Sequence, residues 1–213
     1  MRLPIPDREK VDLGLPVCTL DVNQIAIRPT YYMRTDLRGL VSLEYNYFEQ
    51  RAVELCVTPE TAVEIAAGSS TGVVGSLAYQ RFSKSQLFKA RPASTVLDLT
   101  MEDADELWSD VGHSLWPELS TNAMSPNQAA DVTQLFFHIV CSSMVANAAF
   151  VTLDKNFLNR APDLRGRYGI TVASPNDAWS NFAPKYSLVE PTDSDIHKLV
   201  DQQRTFFGSL RST

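Results

Sequence analysis

Hydrophobic and polar positions along this chain follow two periods that take turns. Short runs of consecutive apolar or β-branched residues have the length and make-up of buried strands: Val17-Cys18-Thr19-Leu20, Val53 to Val57, Val96-Leu97-Asp98-Leu99, Phe150-Val151-Thr152-Leu153 and Gly169 to Val172. Longer segments between them carry helical spacing or helix-start signals. Asp36 to Gln50 places Leu37, Leu40, Val41, Glu44, Tyr47 and Phe48 in a pattern compatible with a helix. Thr58-Pro59-Glu60 offers a cap, a proline suited to the first helical position and an acid for the positive end of the dipole. Glu64 then rides about one and a half turns into that helix, which Gly68 to Gly72 ends or interrupts. Val73 to Leu87 is again helical in pattern, and Thr100-Met101-Glu102-Asp103 opens a helix running to about Trp116. Ser125 and Gln128 stand at capping-box spacing, opening a helix that continues through Ala148 with Asp131 in its second turn. Ser174-Pro175-Asn176-Asp177 is a further start signal.

Strands alternating with helices predict an α/β fold with a parallel sheet. Residues 1–16 form an arm outside this alternation, residues 17–182 the domain itself, and residues 183–213 a C-terminal extension. In the extension Ile196, Leu199, Val200, Phe206 and Leu210 mark an amphipathic helix, expected to dock on its own domain rather than on a second subunit.

Composition narrows the function classes. With 213 residues, 44% hydrophobic and 21% charged, the chain has material for one medium-sized core. No apolar run nears the roughly 20 residues needed to span a bilayer, and Met1 to Asp7 lacks a secretory core, so a cytoplasmic protein without a membrane partner is expected. Cys18, Cys56 and Cys141 lie in apolar segments at spacings that make no zinc pair, which leaves them as small buried hydrophobes. His113, His138 and His197 are equally scattered, so neither a zinc site nor a Ser-His-Asp triad finds its parts. The net charge of −6 argues against a protein that coats nucleic acid. A nuclease stays open to it, because bound cations would cancel part of that charge.

Four acids stand beside different apolar stretches: Asp21 after the first strand, Glu64 on the helix leaving the second, Asp131 early in the helix feeding the fourth, and Asp154 after the fourth. In open α/β sheets ligands bind at the carboxyl ends of the strands. A helix that feeds a strand runs antiparallel to it, so Asp131 also starts at that edge. Four carboxylates together repel one another unless a divalent cation or water relieves them. An all-oxygen set suits Mg²⁺ or Mn²⁺ and, with them, water-driven hydrolysis of a phosphodiester. Asn23 and Thr152, two residues from Asp21 and Asp154, are placed to orient ligands or water from behind.

The segments Leu20-Asp21-Val22-Asn23, Thr61-Ala62-Val63-Glu64-Ile65, the helix from Asp131 through His138, and Val151-Thr152-Leu153-Asp154-Lys155-Asn156-Phe157 resemble PIN-domain nucleases. The last is the most specific of them, and Ile170 to Pro175 is similar to the family's closing strand and turn. The resemblance covers about residues 17–182 in the family's order. It implies a central parallel sheet flanked by helices on both faces and Mg²⁺- or Mn²⁺-dependent cleavage of RNA. Asp21, Glu64, Asp131 and Asp154 match the catalytic, metal-holding acids, and Asn23 and Thr152 match the polar helpers. Some members are toxins silenced by an antitoxin, often as dimers, so the implied partners are RNA, an antitoxin-like protein and a second copy of the chain. Two departures, a longer stretch between Glu64 and Asp131 and the tail beyond Phe182, bear on the substrate groove and on oligomer formation more than on the chemistry.

Substrate contacts are expected from Lys155, Arg160, Arg165 and Arg167, with Arg81, Lys84, Lys89 and Arg91 as a second basic group. Surface cations are more often merely solvated, and Tyr31, Tyr32, Tyr45 and Tyr47 are more readily packing residues than base-stacking ones. Two other readings compete. One is a catalytically silent PIN-like module that binds RNA or protein, which the presence of all four acids disfavours. The other is a phosphatase with Asp21 as nucleophile, a chemistry that usually wants an Asp where this chain has Asn23.

Overall fold

The computed structural model describes residue 10 and residues 12–21, 34–56 and 145–210. The strand expected at 96–99, the helices expected between 58 and 144, and with them Glu64, Asp131, Asn23 and the second basic group, lie outside the described residues.

Among the described residues four parallel strands form one sheet in the order β2-β1-β3-β4: β1 Val17–Leu20, β2 Glu54–Cys56, β3 Ala148–Val151 and β4 Val172–Ala173. All four residues of both β1 and β3 are buried, as central strands of a parallel sheet require. A short 3-10 turn, Thr35–Leu37, leads into helix α1 (Arg38–Tyr45), and a π turn at Asn46–Gln50 ends it. Helices α2 (Lys155–Tyr168), α3 (Pro175–Tyr186) and α4 (Asp193–Leu210) follow.

The strand ends correct the expected boundaries. β3 begins and ends two residues before the apolar run Phe150 to Leu153: it starts at Ala148 opposite Val17 of β1, and it ends early because its outer neighbour β4 is only two residues long. Ser174 already caps α3, so the last bond of that ladder is Thr152 N–H to Ala173 C=O at 3.1 Å. The helix expected through Ala148 does not reach it among the described residues: Val145 lies in a bridge and Ala148 opens β3. Asn147 turns the chain into β3 with φ 64, a left-handed conformation that asparagine tolerates. Gly169, expected in a strand, instead terminates α2 with φ 68, its N–H bonded to Arg165 C=O at 3.0 Å. The basic run after Asp154 is helical in spite of Pro162 inside it. Helix α3 continues past Phe182 to Tyr186.

The main core joins Cys18, Leu20, Leu55, Ala149, Val151 and Ala173 of the sheet to Leu40, Val41 and Leu43 of α1, Ala178 and Phe182 of α3, and Leu199 of α4. Ile196 and Val200 pack at its margin, so the amphipathic tail is docked on this same core. Side chains alternate along a strand, and Phe150, between Ala149 and Val151, instead meets the ring of Phe157 from α2 at 5.4 Å in edge-to-face geometry.

One buried amide fastens the α3–α4 linker to α1. Asn46, fully buried, donates to Ser42 C=O and Val189 C=O, both at 2.8 Å, and accepts from Val189 N–H at 3.0 Å. Asn46→Ala leaves these backbone groups without their partner and is expected to cost about 2 kcal/mol, read as a lower midpoint in urea denaturation. An unchanged midpoint would show that water replaces the amide at no cost.

Candidate active site

Two of the expected acids meet at the carboxyl edge of the sheet. From β1 the chain connects to β2 on one side, while β3 lies on the other, so the gap between β1 and β3 is the switch point where open α/β sheets bind ligands. Asp21 and Asp154 leave these two strands. The β1–β3 ladder runs one bond beyond β1, from Asp21 N–H to Val151 C=O at 3.1 Å, and this sets Asp21 beside Thr152.

Thr152 ties the two acids together. Its hydroxyl donates to Asp21 Oδ2 at 2.6 Å and accepts from the backbone N–H of Asp154 at 2.9 Å. The donors point one way along this relay, so each bond polarises the next. Thr152 is fully buried, Asp21 is 3% exposed, and Asp154 is half-buried. Asp154 is also the N-cap of α2, its Oδ1 accepting from Asn156 N–H at 2.7 Å. Such a cap is sufficient reason for an aspartate there in any fold. It engages one oxygen and fixes the carboxylate at the edge.

The donors at this edge are carboxylate oxygens, which in kind fit Mg²⁺ or Mn²⁺ and not a soft metal. Among the described residues no three His, Cys, Asp or Glu side chains gather as a metal-holding group, so Asp21 and Asp154 are a pair there. Among the described residues thiolate chemistry finds no support: Cys18 and Cys56 are buried and in no disulfide, and burial pushes the Cys18 thiol up to about 12.

The basic residues of α2 divide along its length. Lys155 is the first helical residue, exposed and adjacent to Asp154. Arg160 is half-buried and ion-paired with Asp163 at 3.7 Å. Arg165 lies ten residues after Lys155, about 15 Å along the helix and away from the edge. Arg167 is farther still, and only its backbone is described. Sequence reasoning passed over Arg38, the exposed first residue of α1. Gly39 N–H donates to Asn176 Oδ1 at 2.7 Å and Asn176 Nδ2 to Thr35 C=O at 3.1 Å, so the start of α1 is held against the start of α3, which leaves β4 at the same edge. Its place at the head of a helix following the first strand was the available signal. Thr19 was also passed over, although a polar residue inside the buried run Val17 to Leu20 stands out.

No protein-family model, curated protein or solved structure matches the chain. Among the described residues no helix is long and apolar enough to cross a membrane.

Proposed function

We propose that this protein is a metal-dependent endoribonuclease of the PIN type, with helices on both faces of its parallel sheet and a C-terminal helical extension. The observation that carries the proposal is the relay from Asp154 N–H through the Thr152 hydroxyl to the Asp21 carboxylate at the switch point. The contact of Phe150 with Phe157, opposite in strand parity to the main core, supports the two-faced arrangement.

In this reading Asp21, Glu64, Asp131 and Asp154 hold Mg²⁺ or Mn²⁺, and a bound cation supplies an acidified water and charge neutralisation at the scissile phosphate. The chain's own residues do the rest. Thr152 fixes the direction of one Asp21 oxygen, Asn23 serves two residues further along the chain, and the capping bond to Asn156 holds Asp154 in register. Lys155 and the N–H groups at the start of α2 face incoming phosphate with positive charge. Arg160, Arg165 and Arg167, farther along the helix, are the remaining phosphate contacts of this reading. The toxin form of this reading adds an antitoxin-like protein and a second copy of the chain as partners.

The decisive test is cleavage of a single-stranded RNA pool with Mn²⁺, with Mg²⁺ and with EDTA, wild type beside Asp154→Asn. Metal-dependent cuts absent from the variant are expected. Cleavage that persists in EDTA or in the variant removes the proposed chemistry. Absence of both cleavage and Mn²⁺ binding leaves a silent module for RNA or protein in its place.

A further inference from the structure

β1 carries a second polar residue on the Asp21 face. Alternation sends Val17, Thr19 and Asp21 to one side of the sheet and Cys18 and Leu20 to the other. Thr19 is fully buried, and its hydroxyl has no hydrogen-bond partner among the described residues. Its register neighbours, Cys56 on β2 and Phe150 on β3, make an apolar row directly below the Asp21–Thr152 row.

No described residue uses that hydroxyl. Valine has the same shape, the same stiff branched side chain and an equal preference for strands, and would fill the position without burying a polar atom. Unsatisfied buried groups that cost stability are concentrated where function requires them. Two residues along a strand are about 6.6 Å apart at Cα, so side-chain oxygens on one face need lean together by only about 1 Å to come within the roughly 5.5 Å that one water bridges with two hydrogen bonds. Such a water has Thr19 below it and Asp21 above it, which meets the minimum of two polar partners.

We infer that Thr19 is a positioning residue: through one buried water, its hydroxyl braces the Asp21 carboxylate from beneath, as Thr152 braces it from the side. The inference rests on the reading of Asp21 as a metal ligand. Groups that hold a ligating carboxylate from behind set metal affinity, and losing one typically weakens binding by about tenfold or more.

The test measures Mn²⁺ affinity by calorimetry and melting temperature in EDTA for wild type, Thr19→Val and Thr19→Ser. Thr19→Val is expected to melt at or above the wild-type temperature in EDTA yet bind Mn²⁺ about tenfold more weakly, while Thr19→Ser restores the affinity. Unchanged Mn²⁺ affinity in Thr19→Val, or no rescue by Thr19→Ser, overturns the inference and leaves the acidic site standing. A lower melting temperature of Thr19→Val in EDTA overturns it too, because the hydroxyl would then be serving the fold. Wild type that binds no Mn²⁺ overturns the acidic-site reading itself, and this inference with it.

Discussion

Gly39→Ala is expected to lower stability by about 3 kcal/mol, or about 10 °C in melting temperature for a domain of this size. A Cβ at Gly39 would lie 2.2 Å from Pro175 O, 2.6 Å from Pro175 C and 2.7 Å from Asn176 Cα. All three are backbone atoms, so the clash is not relieved by turning a side chain. They belong to the first turn of α3, which Asn176 fastens to the Gly39 N–H. To admit one methyl group, α1 and α3 must separate and strain that bond. Gly166 supplies the control. It also lies inside a helix, but nothing stands within 4 Å of the place its Cβ would take. Gly166→Ala should therefore show only the gain in helix propensity, up to about 1 kcal/mol of added stability. Urea denaturation of the two variants should move in opposite directions. A Gly39→Ala protein as stable as wild type would mean that α1 and α3 are not held this closely in solution.

The contact at Gly39 was invisible in the sequence, and the reason separates what was legible from what was not. β1 could be read to the residue, because Val17 to Leu20 is buried on both faces and a parallel core strand is a run, not an alternation. The start of α3 was legible for a local reason: Ser174 accepts from Asp177 N–H at 3.2 Å, with Pro175 at the first helical position. Boundaries set by a neighbour were not legible. Nothing in Phe150 to Leu153 tells that β4 stops at Ala173 and that the β3–β4 ladder therefore ends at Thr152. Helix α2 was missed because its apolar anchors are few, Phe157 and Leu164 among them, with Pro162 between. At the site, Asp21 and Asp154 were legible as strand-end acids, while the relay that joins them depends on register. Only when Asp21 N–H bonds Val151 C=O does Thr152 stand beside the carboxylate. Thr19 stood out in the sequence as a polar residue in an apolar run, but the apolar neighbours that make it costly, Cys56 and Phe150, are fixed only by register.

Asp21→Asn is expected to separate stability from activity, in opposite directions. The amide oxygen can still accept from the Thr152 hydroxyl, so the relay and the strand ends keep their geometry. What disappears is a negative charge that is 3% exposed and sits at one edge with Asp154. Taking a carboxylate out of water is costly even where hydrogen bonds offset part of the penalty. In EDTA the variant should therefore be more stable than wild type, by about 1 kcal/mol. With Mn²⁺ the order changes, since a ligand that binds only the folded state raises stability by mass action. Wild type should gain melting temperature as Mn²⁺ is added, and Asp21→Asn should gain little. Metal-dependent RNA cleavage should fall at least about a thousandfold, or ~4 kcal/mol of transition-state stabilisation. The two measurements test different steps. A variant that is less stable in EDTA would show that the carboxylate is an asset to the metal-free fold, through partners that outweigh its burial. A variant that gains Mn²⁺ stability as wild type does would take Asp21 out of the metal site, whatever its activity.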